Sequence, residues 1–276
     1  MITIDAPGTH FGAEDAKRRL EARREEYAKL LAEYDELTGP VRRDLESEYM
    51  MRIGRLEHRL FSFQIRARQL KREIALYQAA ANRRETLTPE AVAQIIEQEF
   101  SEFLATLAQQ REKLRQAEAL HFTPKLSTAD TRALRKLYHE MVRKLHPDIN
   151  RDLPEAAKHL WVRIAEAYKN SDWQELNILA DMVYDLLEEG CPAGSDQNGP
   201  DRLAEEERRI AAKTAELQER IDRLRKQPPY AWRALLEDDE AVNTRRQELQ
   251  EQCRRVEAYI AELTALRDEL CGGKNG

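Results

Sequence analysis

The chain has 276 residues, 41% of them apolar and 35% charged, with only ten glycines and ten prolines. High charge with so little helix-breaking punctuation is a long-helix composition, and it excludes sandwiches, barrels and glycine-rich doubly wound nucleotide folds. A formal net charge of −6 gives no global pull toward nucleic acid or an anionic membrane.

The three cysteines, Cys191, Cys253 and Cys271, are too scattered for a disulfide framework or a metal knuckle. No apolar run approaches the ~20 residues of a membrane span. Residues 1–12 lack the basic-then-apolar pattern of a leader and read as a flexible tail. The expected setting is therefore the cytoplasm, with no membrane span.

From Glu14 to Leu37 apolar residues recur at helical spacing (Leu20, Tyr27, Leu30, Tyr34, Leu37), and Thr38-Gly39-Pro40 ends the run. Residues 41–82 carry the clearest heptads, with Tyr49, Ile53, Leu56, Leu60, Phe63, Ala67, Leu70, Ile74 and Tyr77 alternating by four and three. The short turn between these helices predicts an antiparallel hairpin. Thr88-Pro89-Glu90 then opens a helix over 89–120 that carries Ile96, Phe100, Phe103, Leu107, Leu114 and Ala117, with Gln110 interrupting the stripe. These helices form a coiled-coil unit over 13–121.

Pro124 breaks the chain, and Ser127-Thr128-Ala129-Asp130 starts another helix with a capping pattern. Leu134, Leu137, Met141 and Leu145 line one face of this helix, and Arg135, Lys136, Arg143 and Lys144 lie on another. Residues 127–146 hold five basic and two acidic residues, a cationic segment inside an anionic chain. It ends at Leu145-His146-Pro147-Asp148. Proline disfavours helical backbone at the residue before it, so His146 and Asp148 are expected on a tight, exposed loop. A second helix from about Pro154 carries Leu160, Trp161, Ile164, Ala167 and Tyr168, and the two make an antiparallel finger. A trailing helix with Leu176, Leu179, Val183 and Leu186 extends this unit to 125–189.

Residues 190–200 are rich in Gly, Pro, Ser and Asn and read as a linker. Beyond it, Leu203, Ile210, Leu217 and Leu224 recur at seven, and Gln227-Pro228-Pro229 stops the helix. Leu235, Val242, Leu249, Val256, Leu263 and Leu270 resume the same period, predicting a C-terminal coiled-coil hairpin over 201–272. These heptads suit an intrachain hairpin, a coiled-coil partner and a homodimer alike.

Residues 125–172 resemble the J-domain of DnaJ-type co-chaperones. The resemblance rests on His146-Pro147-Asp148 and on Tyr138 eight residues before the His. It extends to Met141, to the basic residues Arg135, Lys136 and Lys144, to Asn150 after the Asp, and to Trp161, Ile164, Glu166, Ala167 and Tyr168 behind. It implies an all-α fold in which a J-domain hairpin is embedded between long antiparallel coiled-coil helices. It also implies that the protein binds a DnaK-type heat-shock chaperone and stimulates its ATPase, while the coiled coils select client or location. On this reading the chaperone-binding residues are His146, Pro147, Asp148, Tyr138, Arg135, Lys136, Arg143, Lys144 and Asn150. Met141, Trp161, Ile164 and Tyr168 are core. The chain departs from the family at His139 and Glu140, where basic residues are usual. It also lacks a separate short first helix with a Tyr-x-x-Leu-Gly signature, which leaves the end of the 89–120 helix to fill that place. There is no Gly/Phe-rich segment and no cysteine-rich zinc domain.

The rival reading is a coiled-coil scaffold or adaptor with a degenerate J-like hairpin. An enzyme is not expected, because the six histidines show no metal spacing and no nucleophile–base or phosphate-loop pattern occurs. For the same reason no cofactor or metal is expected. Nucleic-acid binding is disfavoured too, since the cationic face has no interleaved aromatics.

Overall fold

The computed structural model describes residues 8–123, 125–188 and 200–272. Among them every regular element is helical and no strand occurs, so the all-α class holds. The first helix, α1 (Gly8–Thr38), is followed by α2 (Pro40–Tyr49), which runs through one widened π turn (Met50–Gly54) into α3 (Arg55–Arg83). Then come α4 (Pro89–Glu99), α5 (Ser101–Phe122), α6 (Thr128–Leu145), α7 (Glu155–Lys169) and α8 (Trp173–Glu188). The chain closes with α9 (Pro200–Arg225), the short α10 (Arg233–Glu237) and α11 (Asp239–Gly272).

Local chemistry accounts for most boundaries. The turn that ends α1 takes glycine at Gly39, where a Cβ would lie 2.8 Å from the Asp35 carbonyl oxygen. The Thr88 hydroxyl accepts from the Ala91 amide at 3.3 Å and caps α4. Ser127 Oγ accepts from the Asp130 amide at 3.1 Å and donates to the Asp130 carboxylate at 2.7 Å, closing the cap of α6. Ser171, at φ 56°, terminates α7, and Asp172 Oδ1 accepts from the Glu175 amide to start α8.

The chain divides into two units, one within Met1–Asp44 and Pro124–Ala231, the other within Leu45–Thr123 and Trp232–Gly276. In the first, Leu20, Tyr27, Ala28 and Leu31 of α1 share a core with Leu203, Ile210, Leu217 and Ile221 of α9. Arg19 and Arg24 pair with Glu207 and Glu206 near one end, and Glu33 pairs with Arg225 further along both helices, so α1 and α9 run parallel. Helices α6, α7 and α8 join the same core through Leu134, Tyr138, Met141, Leu145, Ile164, Tyr168, Leu176 and Leu179.

The second unit is built on α3 and α11. Ile53 and Leu60 pack with Val242, Leu249 and Cys253, and Ala67, Leu70 and Ile74 pack with Leu263. The pairs Glu57–Arg245, Arg59–Glu257 and Glu73–Arg267 again show a parallel arrangement. On another face of α3, Ile65 packs with Val92, Ile96 and Phe100. Helix α5 runs antiparallel to α3, as Arg55–Glu118 and His58–Gln110 show.

Both predicted hairpins are therefore corrected. Within its own unit α1 pairs with α9 and α3 with α11; residues 14–37 and 45–82 fall in different units, as do the two halves of 201–272. Apolar seams of one period are interchangeable, so the heptads fixed which face is buried without fixing the partner. The charged flanks carry the choice: α1 places Arg19 and Glu33 opposite Glu207 and Arg225 of α9. Residues 8–12, expected in a loose tail, are helical, while residues 1–7 and 189–199, the rest of that tail and most of the expected linker, lie outside the described residues. The helix predicted over 89–120 is interrupted at Phe100 (φ −105°, ψ 6°). Among the described residues, no helix is long and apolar enough to cross a membrane.

Candidate functional site

The site is the turn between α6 and α7, and its backbone is closed locally. The amides of Ile149 and Asn150 both donate to the His146 carbonyl, at 3.0 and 2.9 Å. Asn150 Nδ2 donates to the Arg143 carbonyl at 2.9 Å, satisfying an orphan acceptor in the last turn of α6. His146 Nδ1 accepts the Asp148 amide at 3.1 Å, which places the ring proton on Nε2. The His146 ring meets Trp161 edge-on at 5.0 Å. Burial lowers the His146 pKa to about 4, with Asp148 raising it in part and Lys213 lowering it further, so the imidazole is neutral near pH 7.

Asp148 is held from two other helices. Tyr27 of α1 donates its hydroxyl to Asp148 Oδ2 at 2.9 Å, and Lys213 of α9 bonds Oδ1. Arg209 of α9, itself paired with Glu206 at 2.5 Å, donates to the Asp148 carbonyl at 2.8 Å. Burial pushes the Asp148 carboxyl upward, but the bonds and charge of Lys213 and the bond from Tyr27 outweigh it and hold it below the usual carboxylate range. The Tyr27 hydroxyl is pushed up, by burial first and by Asp148 second. Side-chain exposure is 37% for Asp148 and 34% for Lys213, so the contact is covered without being sealed. Pro147 stays at the surface.

The cationic face of α6 is met by the acidic residues of an antiparallel α1. Arg135 pairs with Glu36 at 2.5 Å, and Arg143 with Glu21 and Glu25 at 3.5 and 3.6 Å. Lys144 pairs instead with Glu140 on its own helix at 3.0 Å and lies over the Tyr184 ring. Lys136 is exposed. Of the two departures from the J-type pattern, Glu140 also accepts from Tyr184 at 2.9 Å, whereas His139 Nε2 lies 3.8 Å from Glu25, buried and without a hydrogen bond.

Three expectations are corrected here. The His-Pro-Asp loop is not a free tip, because Tyr27, Lys213 and Arg209 occupy it. Tyr138 cannot be a surface contact: it is fully buried, stacked on Tyr168 at 3.7 Å, and bonded to Asp35 at 2.6 Å. The helix that packs on α6 is α1 rather than the end of the 89–120 helix, which belongs to the other unit. Sequence reasoning missed Tyr27, Asp35, Arg209 and Lys213. A clue was present in Tyr34-Asp35-Glu36-Leu37 ahead of Gly39, one residue longer than the signature judged absent; its Asp35 and Glu36 bond Tyr138 and Arg135. Met141, Ile164 and Tyr168 are buried as expected, and Trp161 is partly buried against them.

Away from the turn, a shallow depression of about 440 Å³ lies between α7 and α8, lined by Leu160, Met182 and Leu186 with His159, Arg163 and Asp185. Among the described residues no group of three His, Cys, Asp or Glu is placed to hold a metal. Comparisons with protein-family models, curated proteins and solved structures returned no match to the chain.

Proposed function

We propose that residues 125–189 form a J-type module through which this protein binds a DnaK-type heat-shock chaperone in the cytoplasm and stimulates its ATPase. The observation that carries the reading is the His146-Pro147-Asp148 turn at the junction of the antiparallel α6 and α7, next to a cationic helix face. The protein supplies no catalytic group in this scheme. Arg135, Lys136 and Arg143 steer α6 toward an acidic surface on the chaperone. Asp148 pairs with a cation at the chaperone's mobile interface and biases a two-state switch by a few kcal/mol. Neutral His146 orients the loop by accepting the Asp148 amide, and Asn150 ties the loop to the end of α6. Tyr138 supports it from inside through Tyr168 and Trp161.

The test is phosphate release by a DnaK-type chaperone with ATP and the full chain. The expected result is stimulation that Asp148→Asn abolishes while the helical content of the chain is unchanged. Absence of stimulation at every concentration favours the second reading, a coiled-coil scaffold or adaptor with a J-like hairpin. One observation speaks for that reading: Tyr27, Lys213 and Arg209 already engage the Asp148 carboxylate and carbonyl.

A further inference from the structure

The parallel α1/α9 pair presents the turn and the cationic helix with the chemistry that an outside partner would present. Against the carboxylate and carbonyl of Asp148 it sets a phenol and two cations, Tyr27, Lys213 and Arg209. Against the cations of α6 it sets Glu21, Glu25 and Glu36. Tyr27 belongs to both systems, since its ring is in the α1/α9 core while its hydroxyl reaches Asp148. We infer that the α1/α9 pair is an autoinhibitory cover, a built-in surrogate for the chaperone that occupies Asp148 and the α6 face and must be displaced before the module can act. The inference rests on the J-type reading above.

Charge complementarity makes the cover specific, and exposure makes it removable. The apolar seam of α1 and α9 does not involve Asp148, so the pair can persist while the loop is exchanged to another partner. The shared apolar core and the Tyr138–Asp35 bond keep α1 on the module, and the contacts to be exchanged are the polar, partly solvated ones at its edge: Asp148 with Lys213, Arg143 with Glu21, Arg135 with Glu36. Such contacts contribute little each and are weakened by salt. A competing surface of the same polarity replaces them one for one. A protein or client that engages α1 or α9 would shift the same balance.

The experiment compares the full wild-type chain with Lys213→Met, Arg209→Ala/Lys213→Met, and Glu21→Gln/Glu25→Gln/Glu36→Gln, none of which alters the α6–α7 turn. Stimulation of a DnaK-type chaperone is followed at subsaturating concentration. Exchange of the Asp148 and Ile149 amides is measured without chaperone, and circular dichroism checks that each variant is folded. The cover predicts about 10-fold stronger stimulation in the double variant, with a parallel rise in amide exchange, because the competent fraction sets apparent affinity. Adding Asp148→Asn to that variant abolishes the gain. A wild-type chain that stimulates strongly, with variants no better, overturns the cover and leaves the J-type reading standing. No stimulation by wild type or by any folded variant overturns the J-type reading and the cover with it.

Discussion

The two parallel helix pairs are close in geometry and opposite in use. In α3/α11 the charged edges are matched to each other: Glu57 to Arg245, Arg59 to Glu257, Glu73 to Arg267. Arg55 and Arg72 of α3 reach Glu118 of α5 and Glu99 of α4 within the same unit, and α4 and α5 add apolar cover on another face of α3. In α1/α9 only some edge residues are matched internally, and Tyr27, Glu21, Glu25, Glu36, Arg209 and Lys213 turn to α6 and its loop. The lesson is that a heptad seam determines that two helices pair, and the edge chemistry determines whether the pair is a strut or a dock.

The largest expected effects test whether the two cores are equally committed. Tyr138 is fully buried, with its ring stacked on Tyr168 and its hydroxyl on Asp35. Tyr138→Ala should therefore cost about 3–5 kcal/mol in urea unfolding, as other large buried truncations do. It also strips the donor from Asp35, whose carboxyl is already pushed up by burial against the lowering effect of the Tyr138 bond. Leu70, fully buried in the other unit, should cost about 2–5 kcal/mol as Leu70→Ala, with amide protection lost along α3 and α11. A cost under about 1 kcal/mol at Tyr138 would mean that the stack tolerates a void, and the loop above it would lose its rigid support.

These targets differ in how well the sequence exposed them. Leu70 sits in a heptad row, and local periodicity alone marks it as buried. The apolar positions of α6 and α7, the Ser127 and Thr88 caps and the Gly39 stop were equally legible, because each rests on contacts within a few residues. Tyr138 was placed among the partner contacts by the resemblance, although it continues the Leu134, Met141 and Leu145 row; what no local spacing shows is its bond to Asp35, 103 residues away. The partners of Asp148 were invisible for the same reason: Tyr27 is 121 and Lys213 65 residues distant, and both carry ordinary helix residues with no motif. Helix pairing failed most clearly. A seven-residue repeat has no direction, so antiparallel and parallel partners look alike until the edge charges are matched across the chain.

An intermediate effect separates the loop from the α3/α11 unit through pH. The folded His146 pKa, about 4, lies below the 6.5 of the free side chain. The unfolded chain therefore binds more protons between those values, and stability rises with pH there. This contribution is present in full above about pH 6.5 and is lost as the pH falls toward 4. Going from pH 7.5 to 5 should cost about 2 kcal/mol through this residue. His146→Gln should flatten that slope, as read by urea unfolding of both chains at the two pH values. An unchanged slope would place the ring in water in solution and remove its role in holding the Asp148 amide.

The smallest effect is the most discriminating for the proposed cover. Arg135–Glu36 in the first unit and Arg55–Glu118 in the second are both solvent-exposed pairs, with side-chain exposures of 51%/26% and 50%/43%. Double-mutant cycles on stability should give roughly 0.2–1 kcal/mol for each, falling with added salt. The two pairs differ in what they join: Arg55 joins α3 to α5 within the second unit, whereas Arg135 joins α6 to the acidic edge of α1 that is proposed to be exchanged. A coupling at Arg135–Glu36 well above that at Arg55–Glu118, and resistant to salt, would make α1 a permanent wall of the module. Equal, salt-sensitive couplings make its acidic edge exchangeable, because ion pairs this weak can be traded for those of a partner with the same charge pattern at little cost.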